Sequence, residues 1–287
     1  MKSIALFMLA VLAFSCSDKT QNKYSTSTAQ QSSIINGIPV TADNVIAKSV
    51  VGILMKYDLD PRGGTWLQGC TGSVLSSKFI LTAAHCVKNL NADEVLVHFS
   101  LKTVTYEQQK NFLTRVDAEK YLVTRKVKAL KVHPDYNETG SYDLAIIMLE
   151  DTIPAEAIPV KLLPPEFINT ALEQTTFEAQ NLPVTLIGFG VIKEEPVTET
   201  DILRQTTVSA QFLNRFVVTD QTKGSGGCNG DSGGPAFLTV SNTVYQVGVT
   251  HGPHGSSKTC HEEGEWYNPS FDKGFLKNAQ EELLNQK

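Results

Sequence analysis

No stretch of this 287-residue chain has the roughly 18 uninterrupted apolar residues that a membrane-spanning helix needs. The chain also lacks any cluster of lysine and arginine, and its formal net charge is −5, so we expect no nucleic-acid-binding surface. We see no internal repeat in the sequence. Hydrophobic residues make up 41% and charged residues 19%, which is typical of a folded globular protein, and the length fits one large all-β domain or two small domains.

Residues 1–16 have the pattern of an export signal. Lys2 supplies a positive start, and residues 4–14 form an apolar run that is too short to span a bilayer. The run ends at Ser15 and Cys16, which is similar to the cleavage site of bacterial lipoproteins, where the cysteine is lipidated and becomes the new N-terminus. The alternative is an ordinary secretory signal with an incidental cysteine.

The chain contains five cysteines, and an odd number leaves one unpaired in an exported protein. If Cys16 carries a lipid, the remaining four can all be in disulfides, although their spacing alone does not decide the pairing. An oxidising compartment favours disulfides over buried free thiols. The four are Cys70, Cys86, Cys228 and Cys260.

Residues 17–33 are nearly all polar, so they cannot offset their ordering entropy by burying apolar surface, and we expect a linker or pro-segment there. Beyond them, short runs rich in valine, isoleucine, threonine and phenylalanine alternate with glycine, proline and asparagine, as in an all-β sandwich or barrel. Residues 275–285 have helical spacing without proline or glycine, which predicts a C-terminal helix. The predicted strands are 49–55, 72–75, 79–82, 95–99, 122–132, 144–149, 184–188, 206–210, 216–219, 236–240 and 245–250.

Three short segments together supply the groups that a serine hydrolase requires. Ser232 lies between small residues whose backbone N–H groups can surround a substrate carbonyl. His85 follows two alanines, and with an ordinary pKa of about 6.5 its imidazole can accept the serine proton at neutral pH. Asp143 leads an apolar run, where a buried carboxylate needs a partner such as a histidine N–H.

The segments Thr-Ala-Ala-His-Cys at 82–86, Asp-Leu-Ala at 143–145 and Gly-Asp-Ser-Gly-Gly-Pro at 230–235, in this order, resemble the trypsin/chymotrypsin family of serine endopeptidases. The resemblance extends from Ile34 to the C-terminal helix. It implies an all-β fold of two six-stranded antiparallel barrels with the active site between them. The protease domain would span 34–287.

Within that domain, the first barrel would run from about 34 to 154 and the second from about 155 to 267. The resemblance makes Ser232 the nucleophile, His85 the general base and Asp143 the carboxylate that orients the base. The backbone N–H groups of Gly230 and Ser232 would form the oxyanion hole. No cofactor or metal is implied, and the expected enzyme is a monomer that acts on a protein or peptide substrate.

The residues Ile34-Ile35-Asn36-Gly37 resemble the activated N-terminus of the same family. Cleavage after Ser33 by an activating protease would free the Ile34 amine, which would pair with Asp231. This pairing would explain why an acidic residue lies beside the nucleophile, where burial is otherwise costly. The full-length chain would then be a zymogen. The alternative is that Ile34 merely begins an ordinary apolar strand.

The family resemblance also implies a substrate pocket and two disulfides. Gly226 matches the pocket floor, where trypsin-like members carry aspartate, so a strong preference for arginine or lysine is not expected. Glu262, Glu263 and Glu265 lie near the back wall, where one of them could restore some of that preference. The wall that pairs with the substrate backbone is matched by Thr250, His251 and Gly252, with histidine in place of tryptophan. The implied disulfides are Cys70–Cys86 and Cys228–Cys260.

The sequence leaves other functions to consider. Residues 230–234 also match the nucleophile elbow of α/β-hydrolases. That fold orders its triad Ser, acid, His and follows the serine with a helix. Here the histidine and the aspartate precede Ser232 and a strand is predicted after it, so the order and the local structure both argue against this fold. A catalytically inactive binding module and an esterase remain alternatives. The expected location is outside the cytoplasm, either as a bacterial cell-envelope lipoprotein anchored to a membrane through Cys16, or secreted or periplasmic after activation.

Overall fold

The computed structural model describes residues 34–57, 65–104, 115–137, 141–164 and 181–286. The predicted signal, Cys16 and the pro-segment, all within 1–33, lie outside the described residues. In the part of the chain that is described, no helix has both the length and the apolar character needed to cross a membrane.

The first barrel is closed by six antiparallel strands in the order β2-β3-β4-β7-β6-β5. The strands β4 and β7 are buried at every position, because both of their faces are covered by protein. Their side chains form the centre of the core with Val51 and Ile53 of β2. The strands are β2 Val50–Tyr57, β3 Thr65–Val74, β4 Phe79–Thr82, β5 Val95–His98, β6 Thr124–Val132 and β7 Ala145–Leu149.

Six further antiparallel strands close the second barrel in the order β8-β9-β10-β13-β12-β11, with β11 pairing back onto β8. Trp266 is almost fully buried at its centre. The short strand β1, Ile38–Pro39, pairs with β9 rather than with a strand of the first barrel. The barrel strands are β8 Leu182–Gly188, β9 Arg204–Leu213, β10 Phe216–Asp220, β11 Pro235–Val240, β12 Thr243–Pro253 and β13 Glu263–Tyr267.

The C-terminal helix packs on the first barrel. Its buried residues Leu276, Ala279 and Leu283 belong to the same apolar cluster as β4 and β7. The two barrels and this helix confirm the predicted fold class. The helices are α1 Ala84–Val87, α2 Arg115–Tyr121 and α3 Lys273–Asn285, with 3-10 turns at Ile46–Ser49, Ala92–Glu94 and Pro269–Asp272.

Two disulfides join segments that carry site residues. Cys70 of β3 is bonded to Cys86 of α1, the residue after His85. Cys228, which precedes the predicted nucleophile loop, is bonded to Cys260, which precedes β13. Each bond can contribute about 2–4 kcal/mol by restricting the unfolded chain. Disulfides of this kind indicate an exported protein.

We expect Ile147→Ala to lower the free energy of unfolding by about 2–5 kcal/mol, because truncating a large buried side chain would leave a cavity in a packed core. Ile147 is 0% exposed in β7. The measurement is urea unfolding of the full chain with Ser232→Ala as background, which excludes self-digestion. The control is Ile38→Ala, because Ile38 is 62% exposed. Equal effects of the two substitutions would contradict this placement of the core.

Candidate active site

His85 and Asp143 are joined by two hydrogen bonds. The Nδ1 atom of His85 lies 2.7 Å from Oδ2 of Asp143, and the backbone N–H of His85 donates to Oδ1 at 2.9 Å. The Asp143 side chain is completely buried, whereas the His85 side chain is 29% exposed. The carboxylate therefore holds the imidazole by the edge that carries Nδ1, and Nε2 lies on the opposite edge of this partly exposed ring.

Ser232 follows a tight turn that packs against the segment leading into α1. At Gly233 a Cβ atom would lie 2.1 Å from Oγ1 of Thr82 and 2.8 Å from the backbone N of Ala83, so only glycine allows this approach. The carbonyl of Ser232 accepts a hydrogen bond from the N–H of Thr71 at 2.8 Å. Ser232 thus lies beside the chain that carries His85, although its hydroxyl makes no hydrogen bond to His85 among the described residues.

The backbone at Gly230 has the left-handed conformation, with φ of +93°. A Cβ atom there would lie 2.9 Å from the Cα of Gly190, so a side chain would not fit. The Gly230 carbonyl is held by the Thr71 hydroxyl at 2.9 Å. Within the described residues, the N–H groups of Gly230 and Ser232 donate to no other group, so both are available to a substrate oxygen.

Asp231 is buried in a cavity formed by backbone. Its Oδ1 accepts from Gly190 N–H at 2.8 Å and its Oδ2 from Cys228 N–H at 2.9 Å. A Cβ atom on Gly188 would lie 2.2 Å from Oδ1, which explains the glycine there. Burial raises the pKa of Asp231 to about 7, although the two hydrogen bonds oppose this rise.

The predicted activation segment lies beside Cys228, one of the residues that hold Asp231. Ile34 is 1% exposed and has a φ of +45°, which is unusual for a β-branched residue. Ile35 forms a β-bridge with Gly226 and packs against Val191 and Cys228. In this uncut chain, the described donors to the Asp231 carboxylate are Gly190 and Cys228, not Ile34.

His251 is a second histidine on the Asp143 carboxylate, which the sequence did not predict. Its Nδ1 lies 2.6 Å from Oδ2 of Asp143, the same oxygen that faces His85. The neighbouring Thr250 directs its hydroxyl to the carbonyl of Gly234 instead. Burial alone would raise the pKa of Asp143, but the hydrogen bonds from His251 and His85 outweigh it and hold this pKa well below its usual range. In the sequence, the replacement of tryptophan by histidine at 251 was the available signal.

A cleft of about 280 Å³ lies beside Ser232, with Thr250, His251 and Gly252 along one side. Gly226, predicted to form the pocket floor, does not line this cleft. The buried side chain of Gln221 lines it instead and fills the space beside Gly226, where a Cβ atom would lie 1.9 Å from the Gln221 Oε1.

The carboxylate that lines this cleft belongs to Glu194, which accepts a hydrogen bond from Cys260 N–H at 3.0 Å. The three glutamates considered from the sequence do not line the cleft. Glu262 caps the backbone N–H of Lys258 at 2.6 Å, and Glu265 lies 2.5 Å from Nδ1 of His254. Glu263 is exposed.

Three side chains of the site could hold a metal ion by their donor types. In the described residues, ligand atoms of His85, Asp143 and His251 all lie within 4.8 Å of one another. The other groupings of this kind contain Cys70, Cys86, Cys228 or Cys260, which are in disulfides and have no thiolate to offer.

Comparison with known proteins assigns the family. A family model described as Trypsin matches residues 59–265, so the chain belongs to the trypsin family of serine proteases. Serine protease 28 of Mus musculus is 26% identical over 267 residues, which cover 85% of this chain and 89% of that protein. Chymotrypsin-C of Mus musculus is 29% identical over 217 residues, covering 69% and 72%. Chymotrypsin-like elastase family member 1 of Bos taurus is 24% identical over 205 residues, covering 66% and 69%.

The raised pKa of Asp231 predicts how the stability of the uncut chain depends on pH. The folded pKa of about 7 lies above the ordinary value of 3.8, so the folded state binds the proton more tightly. The resulting stabilisation is present below about pH 4 and is lost as the pH rises through about 7. We expect uncut Ser232→Ala protein to lose on the order of 2–4 kcal/mol more than its Asp231→Asn derivative between about pH 4.5 and pH 7.5.

Urea unfolding at the two pH values measures this difference. The control is Asp43→Asn, because Asp43 lies on the surface and its pKa is lowered by the Thr41 hydroxyl rather than raised. If the free energy of unfolding falls by the same amount between the two pH values in the Asp231→Asn and Asp43→Asn proteins, Asp231 is not the titrating group.

Proposed function

We propose that this protein is a serine endopeptidase that hydrolyses peptide bonds through an acyl-enzyme intermediate, with His85, Asp143 and Ser232 as its triad. The observation that carries the proposal is the doubly hydrogen-bonded His85–Asp143 pair beside Ser232. Because an ionised carboxylate only accepts hydrogen bonds, Nδ1 of His85 must carry the proton. The other ring nitrogen is then free to act as a base.

In this mechanism His85 takes the proton from the Ser232 hydroxyl as its oxygen attacks the substrate carbonyl, and returns it to the leaving amine. The N–H groups of Gly230 and Ser232 stabilise the oxyanion, and losing one such donor typically costs about 3 kcal/mol of transition-state stabilisation. Water then hydrolyses the acyl-enzyme by the same steps. The N–H groups of Gly230 and Ser232 make no other hydrogen bond among the described residues, which supports their role in stabilising the oxyanion.

The proposal includes activation by cleavage after Ser33. In the uncut chain the ionised Asp231 carboxylate has no cationic partner among the described residues, and its burial disfavours the charge. The freed Ile34 amine would supply that cation, since Ile35 already packs against Cys228. A precursor lipidated at Cys16 would leave its anchor behind at this step, because the two described disulfides do not include Cys16.

We expect Ser232→Ala and His85→Ala each to abolish peptide hydrolysis by the activated protein while leaving the fold intact. The triad acts as a unit, so losing either member should reduce kcat by roughly 10⁴-fold or more. The assay is hydrolysis of a peptide library, together with labelling by a fluorophosphonate. The control is Ser241→Ala, which changes a serine at a surface turn.

This experiment also separates the alternatives. A binding module would show neither labelling nor turnover, and an esterase would hydrolyse esters but not peptides. Retention of more than a few per cent of peptidase activity by Ser232→Ala would refute the proposed nucleophile.

The cleft predicts the substrate preference. We expect no overwhelming preference for arginine or lysine, because the buried group beside Gly226 is the neutral amide of Gln221, and Glu194 is the acidic residue among the described residues that line the cleft. Any residual preference would come from Glu194 at the cleft wall, and it should be at most about fivefold because the group is partly solvated. Peptide-library profiling of the activated wild type and Glu194→Gln measures both effects. Cleavage only after arginine and lysine, unchanged by Glu194→Gln, would contradict this account of the cleft.

A further inference from the structure

We propose that His251 is a positioning residue of the hydrolytic site, which holds Asp143 toward His85 by donating a second N–H to its Oδ2. This inference rests on the proposed peptidase function. It adds a residue from the second barrel to a pair that the first barrel supplies, and it assigns a role to the position where the sequence departs from the usual tryptophan.

The backbone explains how His251 reaches the carboxylate. Along the pairing of β12 with β13, Thr250 lies opposite Trp266 and Gly252 lies opposite Glu265. His251 is therefore the extra residue of a β-bulge, a feature that redirects a side chain out of the regular alternation of a strand. The bulge directs the imidazole of His251 across the barrel interface to Asp143.

The two imidazoles bind one oxygen atom. Oδ2 of Asp143 lies 2.7 Å from Nδ1 of His85 and 2.6 Å from Nδ1 of His251. Since the ionised carboxylate only accepts, both Nδ1 atoms donate, which fixes the tautomer of both rings when they are neutral. Oδ1 is occupied by the His85 backbone N–H. The carboxylate is thus fixed at both oxygens and cannot rotate without losing a hydrogen bond.

His251 also affects the charge balance at the base. Burial lowers its pKa, but the hydrogen bond and charge of Asp143, together with the charge of Glu265, outweigh this and leave the pKa raised. The ring centroids of His85 and His251 are 6.0 Å apart, so a positive His251 opposes protonation of His85. Other charged groups nearby are Glu194 and Lys258, which line the same cleft.

Two substitutions separate the hydrogen bond from the charge. His251→Asn keeps an N–H donor at nearly the same place but cannot become charged. His251→Leu keeps neither. Loss of a hydrogen bond to a charged group should reduce kcat by roughly 10- to 100-fold in His251→Leu, with KM changing less. In His251→Asn, kcat should stay within about threefold, and the acid limb of the kcat/KM profile should move to higher pH by about half a unit or more.

The test uses protein expressed as the full chain and then activated by cleavage after Ser33, with His261→Leu as the control because His261 is an exposed histidine that does not line the cleft. A second readout does not depend on activity: NMR titration of His85 in Ser232→Ala protein should show a higher His85 pKa when His251→Asn is added.

The proposal stands only if the Leu variant loses kcat, the Asn variant keeps it, and the His85 titration moves. Any other combination overturns it. Absence of activity in the wild type would refute the proposed function, while the NMR titration would still decide whether His251 acts on the Asp143–His85 pair.

Discussion

A charge removed from water must be paired within the protein, and the buried carboxylate of Asp143 meets this requirement with groups from both barrels. His85 lies on α1 of the first barrel, and His251 lies on β12 of the second. The hydrogen bonds that lower the pKa of Asp143 therefore also connect the two barrels. Loss of either histidine would leave a buried charge with fewer donors.

Asp231 is also buried, but its described hydrogen-bond donors are backbone groups instead of side chains. A Cβ atom on Gly188 or Gly190 would clash with the carboxylate, which accepts hydrogen bonds from the N–H groups of Gly190 and Cys228. Two N–H donors do not offset complete burial, so the carboxyl retains its proton to a higher pH than usual. Asp143 thus accepts from two imidazoles and one peptide N–H, whereas the described donors to Asp231 are two peptide N–H groups.

Much of the fold could be predicted from the sequence, because most strands bury apolar side chains in recognisable runs. Residues 79–82 match β4 at both ends, and the predicted helix differs from α3 only at its start. The strand β13 was not predicted, since it begins Glu-Gly-Glu and its pairing depends on distant neighbours. The helix α2 was also missed. The predicted strand at 122–132 begins instead at Thr124, after the end of that helix.

The site was predictable where local motifs describe it and not where a bulge or a distant contact decides. The contact of His85 with Asp143 followed from three short segments. The direction of His251 depends on a one-residue shift in a strand pairing, which no local pattern reveals. Glu194 enters the cleft because the distant Cys260 N–H binds its carboxylate. The Gln221 amide lines the cleft for a similar reason, since it bonds to the N–H of Gly227 and the carbonyl of Cys260.

The pairing of β1 with β9 bears on how fast an activated enzyme could form. Ile38 and Pro39 are held to Gln205 and Arg204, and the buried Arg204 guanidinium donates to the carbonyl of Gly37 at 3.0 Å. A chain cut after Ser33 would keep its new amine on a tether of a few residues, fixed at this anchor. Because loop closure over so short a tether costs little entropy, the amine would meet Asp231 at a high effective concentration. Formation of the ion pair would then be a local, unimolecular step whose rate does not depend on protein concentration.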